Sequence, residues 1–138
     1  MFSLSVSDHI MIAHSFADPF FGPAQRLHGA TYGVELTLRS AALGPHQVVM
    51  DIGAMREILR RVLASLDYSN LDEHAAFAGR LSTTERVAEY LAKTIAREIV
   101  KLPADSAPPA PATLSVLLRE SPVAWATCEL ALADVSGA

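Results

Sequence analysis

The sequence predicts an α+β domain, an antiparallel sheet packed against two amphipathic helices. Three observations carry that prediction. Apolar residues alternate with polar ones over residues 2–14 and again over 30–39, the period of a half-buried strand. From Ala54 the apolar spacing becomes helical, and it stays helical through a second run ending near Ile95. The period of two then returns at Leu114. Strands on either side of a helical pair, rather than alternating with single helices, favour α+β over a doubly wound sheet.

In the first strand Phe2, Leu4, Val6, Ile10, Ile12 and His14 share one parity, while Ser3, Ser5, Ser7 and His9 share the other. A loop rich in Phe, Gly and Pro follows over residues 18–26. In the second strand Tyr32, Val34, Leu36 and Leu38 form one face, and Thr31, Glu35 and Thr37 the other. Gly44-Pro45 marks a turn, and Val48-Val49-Met50 is predicted as a short third strand. Met55, Ile58, Leu59, Val62, Leu63 and Leu66 make the inner stripe of the first helix, with Arg56, Glu57, Arg60 and Arg61 outside. Ser82-Thr83-Thr84-Glu85 has the S-x-x-E spacing of a capping box opening a second helix, whose inner stripe is Val87, Ala88, Leu91, Ala92 and Ile95. Residues 101–113, rich in Pro and Ala, predict a loop. A fourth strand covers 114–120 and a fifth 123–132, broken at Ser121-Pro122. Both helices are thereby predicted between strands three and four.

With 138 residues and 51% apolar content, the chain can close one core, so residues 1–138 are expected to form a single domain. A net charge of −4 and pI near 5.7 exclude the basic footprint of a nucleic-acid binder. Only 19% of residues are charged, and the mean hydropathy is +0.27. That balance predicts apolar surface buried against other subunits. No run approaches the roughly 20 apolar residues of a membrane span. The first residues show neither the basic start nor the apolar run of a secretory leader. Cys128 is the single cysteine, which excludes an intrachain disulfide and fits a reducing compartment, so a cytoplasmic location is expected.

Three groups stand apart from the core pattern. His14 ends the first strand on its buried parity, and His28 stands at the mouth of the second. Glu120 closes the apolar face of Leu114, Val116 and Leu118, where a carboxylate needs a partner. Each also has an ordinary structural reading: a histidine satisfied within the sheet, or a terminal glutamate facing water.

Taken in order, these residues resemble the 6-pyruvoyltetrahydropterin synthase / 6-carboxytetrahydropterin synthase family over nearly the whole chain. Ile10-Met11-Ile12-Ala13-His14 matches the family's F-x-A-A-H, and Leu27-His28-Gly29-Ala30-Thr31-Tyr32 its L-H-G-H-x-Y. Val49-Met50-Asp51-Ile52 matches V-x-D-F, and Leu66-Asp67-Tyr68-Ser69-Asn70-Leu71-Asp72 matches L-D-H-x-x-L-N. Ser82-Thr83-Thr84-Glu85-Arg86-Val87-Ala88 follows P-T-x-E-x-x-A. Glu120-Ser121-Pro122, with Trp125, follows the closing glutamate, turn and aromatic strand.

The resemblance implies the tunnelling fold, in which sheets of several subunits join into a barrel with ligand sites between subunits. The oligomer would be trimer-based, up to a hexamer. It further implies a small-molecule heterocycle of pterin type, its amino–amide edge held by Glu120 with help from Thr83 and Thr84. A carboxylate accepting two N–H donors is a strong, satisfied pair.

The chain also departs from the family. Zinc there is held by three histidines, two of them from H-G-H, whose i and i+2 side chains share one side of a strand. Here Ala30 replaces the third ligand, so His14 and His28 form an incomplete site that would hold zinc weakly or not at all. A substitute ligand could come from His9, Asp8, His46, His74 or the substrate. The family's base cysteine corresponds to Ala24, and its L-D-H histidine to Tyr68, leaving Asp67 no imidazole to orient. Phenols ionise near about 10, which makes a poor base at neutral pH. Cys128, alone on the last strand, reads as a small buried hydrophobe.

Two functions remain open on this reading. One is a divergent lyase acting on the side chain of a pterin-like or related ring, with Asp67 and Tyr68 as acid–base groups and His14 and His28 polarising an oxygen or holding a weak metal. The other is a ligand- or partner-binding module without catalysis. A proton acceptor working near neutral pH separates the two.

Overall fold

The computed structural model describes residues 1–136. Its strands are β1 (Phe2–His14), β2 (His28–Ser40), β3 (Ser69–Asn70), β4 (Ala112–Ser121) and β5 (Ala124–Ala131), and its helices are α1 (Ile52–Ala64) and α2 (Thr84–Val100). Short 3₁₀ turns lie at Pro19–Gln25, Leu71–Glu73 and Leu132–Asp134. The five strands form one sheet in the order β3-β1-β2-β4-β5. Among the described residues, no helix is long and apolar enough to cross a membrane.

The strand faces follow the alternation read from the sequence. Val6, Ile10, Ile12 and His14 of β1, Tyr32, Val34, Leu36 and Leu38 of β2, and Leu114, Val116 and Leu118 of β4 are all buried. Both helices lie on this face, contributing Met55, Ile58, Leu59, Val62 and Leu63 from α1. From α2 come Val87, Ala88, Leu91, Ala92, Ile95, Ala96 and Ile99. The opposite face is polar, and Ser5 and Thr37 share a hydroxyl hydrogen bond of 2.7 Å across it.

Four expectations are corrected. Val48-Val49-Met50 is not a strand. The Gly44 N–H donates to the Val48 carbonyl (2.9 Å) inside a turn, while Val49 and Met50 plug the core. Burial of a short apolar run needs no ladder. The third strand is the polar pair Ser69–Asn70, beside Ile12 and Ala13 of β1. That pairing is parallel, so the sheet is mixed rather than antiparallel throughout. As a consequence α1 precedes β3 and only α2 lies between β3 and β4.

The helix starts also differ from the sequence reading. α1 opens two residues early because Asp51 caps it, its Oδ2 accepting from the Ala54 N–H at 2.8 Å. α2 is capped by Thr83, whose Oγ1 accepts from the Arg86 N–H at 3.2 Å, so Ser82 and Glu85 form no capping box. Any of three consecutive hydroxyls could cap this helix, and Ser82 is taken by a tertiary partner.

Candidate functional site

That partner is His14. Buried at 2% exposure, its Nδ1 lies 3.0 Å from the Ser82 hydroxyl. The β1–β2 register sets His14 directly across from His28, and the rings meet edge to face with centroids 4.6 Å apart. His28 is held differently. Its Nδ1 donates to the Arg26 carbonyl at 2.8 Å. In the neutral ring this leaves Nε2 with a free lone pair, the state a proton acceptor or metal ligand needs. Phe16 packs against both imidazoles, at 4.6 Å from His14 and 5.9 Å from His28, and Phe21 packs behind Phe16. Burial above all, and then the neighbouring His28, push the His14 imidazole below the ordinary histidine range. A hydrogen bond to the Ser82 backbone and the charges of Asp72 and Glu120 oppose that shift in part. Asp72 itself is occupied by the backbone N–H and hydroxyl of Ser15.

At the neighbouring end of β4 the register slips: Arg119 pairs with Trp125, yet Ser121 pairs with Ala124. Two residues on β4 therefore advance against one on β5, and Glu120 sits in the bulge. A bulge re-aims a side chain. Glu120 is exposed rather than buried in the chain, and its Oε2 accepts a long hydrogen bond, 3.4 Å, from the Thr84 hydroxyl in the first turn of α2. Beside it the Arg119 guanidinium stacks on Trp125 at 4.5 Å. Thr83 and Thr84 face different sides of the helix start. Thr83 lines a groove of about 690 Å³ with Phe77, Arg80, Arg86, Tyr90 and Arg97. Having accepted one bond as cap, its hydroxyl keeps an O–H to donate.

Tyr32 lies between the histidine pair and Glu120. Its ring meets His14 edge to face at 6.3 Å, and Thr84 and Glu120 both act on its phenol.

Asp67 and Tyr68 stand apart from this group. The Asp67 carboxylate accepts from the Met11 N–H at 2.8 Å, and the Tyr68 N–H donates to the Met11 carbonyl at 2.7 Å. Both residues thus bridge to β1 on the side where β3 adds to the sheet, whereas Glu120 belongs to β4, beyond β2. Tyr68 is 82% exposed with φ of 56°, a left-handed conformation uncommon for a bulky residue.

The implied zinc does not fit the side chains at this spot. Strand parity puts His28, Ala30 and Tyr32 on one face, so the third position carries a methyl group with no donor. Phe16 adds an aromatic wall, and among the described residues no group of three or more His, Cys, Asp or Glu is arranged to hold a metal. Two imidazoles fall short of the three protein ligands of a catalytic zinc.

Of the residues singled out from the sequence, the structure groups His14, His28, Thr84 and Glu120 around Tyr32 and sets Asp67 and Tyr68 apart. The sequence reading passed over Ser82 as a ligand of His14, Phe16 as the wall of the pair, and the Tyr32 hydroxyl. Tyr32 was within reach, as the last letter of L-H-G-H-x-Y, but its alternation with Val34, Leu36 and Leu38 marked it only as core. Ser82 carried no signal beyond capping.

Comparison with known proteins agrees with this geometry. Residues 3–131 match the family described as 6-pyruvoyl tetrahydropterin synthase. A 6-carboxy-5,6,7,8-tetrahydropterin synthase of Bacillus subtilis is 25% identical over 124 residues, covering 90% of this chain and 82% of the relative. The 6-pyruvoyl tetrahydropterin synthase of Caenorhabditis elegans superposes with a TM-score of 0.75 at 22% identity, over 94% of this chain and 96% of that one. The Plasmodium vivax enzyme of the same name gives 0.73 at 22% identity, over 94% and 97%. At these identities the two structures establish the shared fold.

Proposed function

The chain belongs to the 6-pyruvoyl tetrahydropterin synthase family, and from that premise we propose that it is a lyase acting on the side chain of a pterin-like heterocycle with altered catalytic groups. The observation that carries this reading is the Thr84–Glu120 contact at the bulged end of β4, with Tyr32 between it and the His14–His28 pair. Glu120 has oxygen lone pairs left for the amino–amide edge of a ring, and Thr83 and Thr84 each have a hydroxyl at the adjacent helix start. His28 offers a lone pair on Nε2 beside the space where the ring's side chain would lie.

The reaction class follows from these groups. A base takes the proton of a side-chain hydroxyl, and the freed electron pair forms a carbonyl. The adjoining carbon–carbon bond breaks toward a conjugated ring C=N, which accepts the pair, and an acid returns a proton there. His28 suits the first role. Asp67 and Tyr68 suit the second only if a neighbouring copy brings them. That is the expectation for chains joined edge to edge, because β1 along residues 2–10 and the outer side of β5 have no strand beside them among the described residues. No step is assigned to a metal, since the donor set does not fit one.

A binding module without catalysis is the second reading, supported by Ala24 and Tyr68 at the positions of the family's cysteine and histidine. The deciding experiment has two arms. Calorimetric titration with pterins and guanine-type rings tests the pocket, and mass spectrometry of side-chain-bearing pterins after incubation tests cleavage. Ring binding with side-chain release supports the lyase. Ring binding with intact side chains supports the module, and no ring binding removes the lyase and leaves only a partner-binding module.

A further inference from the structure

Tyr32 is fully buried, at 0% exposure, and its hydroxyl is a buried polar atom without a hydrogen-bond partner among the described residues. A phenylalanine would fill the same space without the penalty of a buried, unpartnered oxygen. The position of the oxygen tells what could satisfy it. Tyr32 lies on the same face of β2 as His28 and Ala30, and its ring sits edge-on to His14. Its phenol is under the influence of Glu120 and Thr84 at the other end. The Thr84 hydroxyl lies close enough to act on the phenol but gives its proton to Glu120, and no bond of normal hydrogen-bond geometry joins it to Tyr32. What is left is a buried O–H donor on the side of the carboxylate.

The chemistry of that position is specific. A carboxylate takes the N–H donors of an amino–amide edge. In a 2-amino-4-oxo ring the atom following the amide N–H is a carbonyl oxygen, an acceptor that points to a neighbouring donor. Burial and the charge of Glu120 keep the phenol protonated, so it has an O–H to donate.

We propose that Tyr32 is a specificity-determining residue whose hydroxyl donates to the ring carbonyl beside the edge held by Glu120, so that the site selects lactam-type rings over rings without the carbonyl. This rests on the ring-binding reading above and deepens it. The groups that line up along the ring are then Glu120 for two donors and Tyr32 for the acceptor.

The test is calorimetric titration of wild type, Tyr32→Phe and Glu120→Gln with two probes, pterin and 2,4-diaminopteridine, which has an amino group in place of the carbonyl. Loss of one ligand hydrogen bond with the partner left unpaired predicts that Tyr32→Phe weakens pterin about tenfold and leaves the diamino ring unchanged. Glu120→Gln should weaken pterin. Wild type should itself prefer pterin by at least about tenfold, because the diamino ring lacks both the carbonyl and the amide N–H beside it. Without ligand, Tyr32→Phe should melt at or above wild type, because an unsatisfied oxygen has been removed. Equal binding of pterin by wild type and Tyr32→Phe, or equal weakening of both rings, overturns the assignment while Glu120→Gln still reports on the ring pocket. A clear drop in melting temperature for Tyr32→Phe also overturns it, by showing that the hydroxyl is bonded inside the protein. If wild type binds neither ring, the ring-binding reading fails and takes this inference with it.

Discussion

The Thr84 hydroxyl donates to the Glu120 carboxylate over 3.4 Å, tying the first turn of α2 to the bulged end of β4. A bond this long orients the carboxylate without occupying it. Glu120→Gln keeps the shape but puts an amide donor where an acceptor stood, opposing the ring's own N–H groups. Losing a charged hydrogen bond and leaving a mismatched group removes about 1.5–3 kcal/mol of binding. Pterin affinity should fall by roughly ten- to a hundredfold by calorimetry. Stability should stay within about 0.5 kcal/mol of wild type, because the side chain is exposed in the chain. Undiminished binding would place the ring elsewhere.

Metal retention follows from Ala30. As purified, the protein should carry well under one tightly held zinc per chain, and Ala30→His should raise retention by supplying a third imidazole on the face of His28. Elemental analysis after dialysis against a chelator measures both. Stoichiometric zinc in wild type would reveal a ligand set assembled from beyond the single chain.

Conversion of dihydroneopterin triphosphate to either family product should be undetectable or very slow if, as the resemblance implies, Ala24 and Tyr68 replace the family's cysteine and histidine. Chromatographic detection of both products is the assay. Ordinary family-level turnover would mean that the protein draws its base from another residue, His28 being the first to substitute.

The Tyr32 phenol is pushed up to about 12, mainly by burial and further by Glu120, against a partial opposing effect of Thr84. A folded-state value above the unfolded one, about 10, gives stability that is fully present below about 10 and is lost as pH rises toward about 12. Thermal melts across that range should show an alkaline decline that Tyr32→Phe reduces. Ultraviolet titration should show one of the three tyrosines ionising late. A tyrosinate signal from Tyr32 near the ordinary value would contradict the burial described here.

Tyr68 holds a left-handed backbone, φ 56°, while its side chain is exposed. Such a conformation costs a non-glycine residue about 1–3 kcal/mol, part of which glycine recovers against its own unfolded-state entropy. Tyr68→Gly should therefore leave stability equal to wild type or raise it by about 1 kcal/mol in denaturant melts. If Tyr68 is an acid–base group, side-chain cleavage falls in the same variant. Destabilisation by several kcal/mol would show that the phenol packs against something the single chain lacks.

Sequence alone determined the class of the domain and the inward face of each long strand and of both helices. These are local properties. Whether a residue faces the core repeats every two or 3.6 positions, so Leu114, Val116 and Leu118, or Val87, Leu91 and Ile95, announce themselves without knowledge of their partners. Tertiary structure decided what depends on partners. Val48-Val49-Met50 is as apolar as a strand, yet its backbone is taken by a turn, while polar Ser69–Asn70 pairs with β1 because the chain leaving α1 passes that edge. Ser82 could have capped α2 and instead meets His14, an imidazole 68 positions away along the chain. The bulge that turns Glu120 outward arises between two strands and is written in neither. The Tyr32 hydroxyl looked like part of an apolar face. Only the packing around it leaves that oxygen buried and unpartnered beside a carboxylate, since a hydrogen bond is a relation between groups that alternation along one strand does not encode.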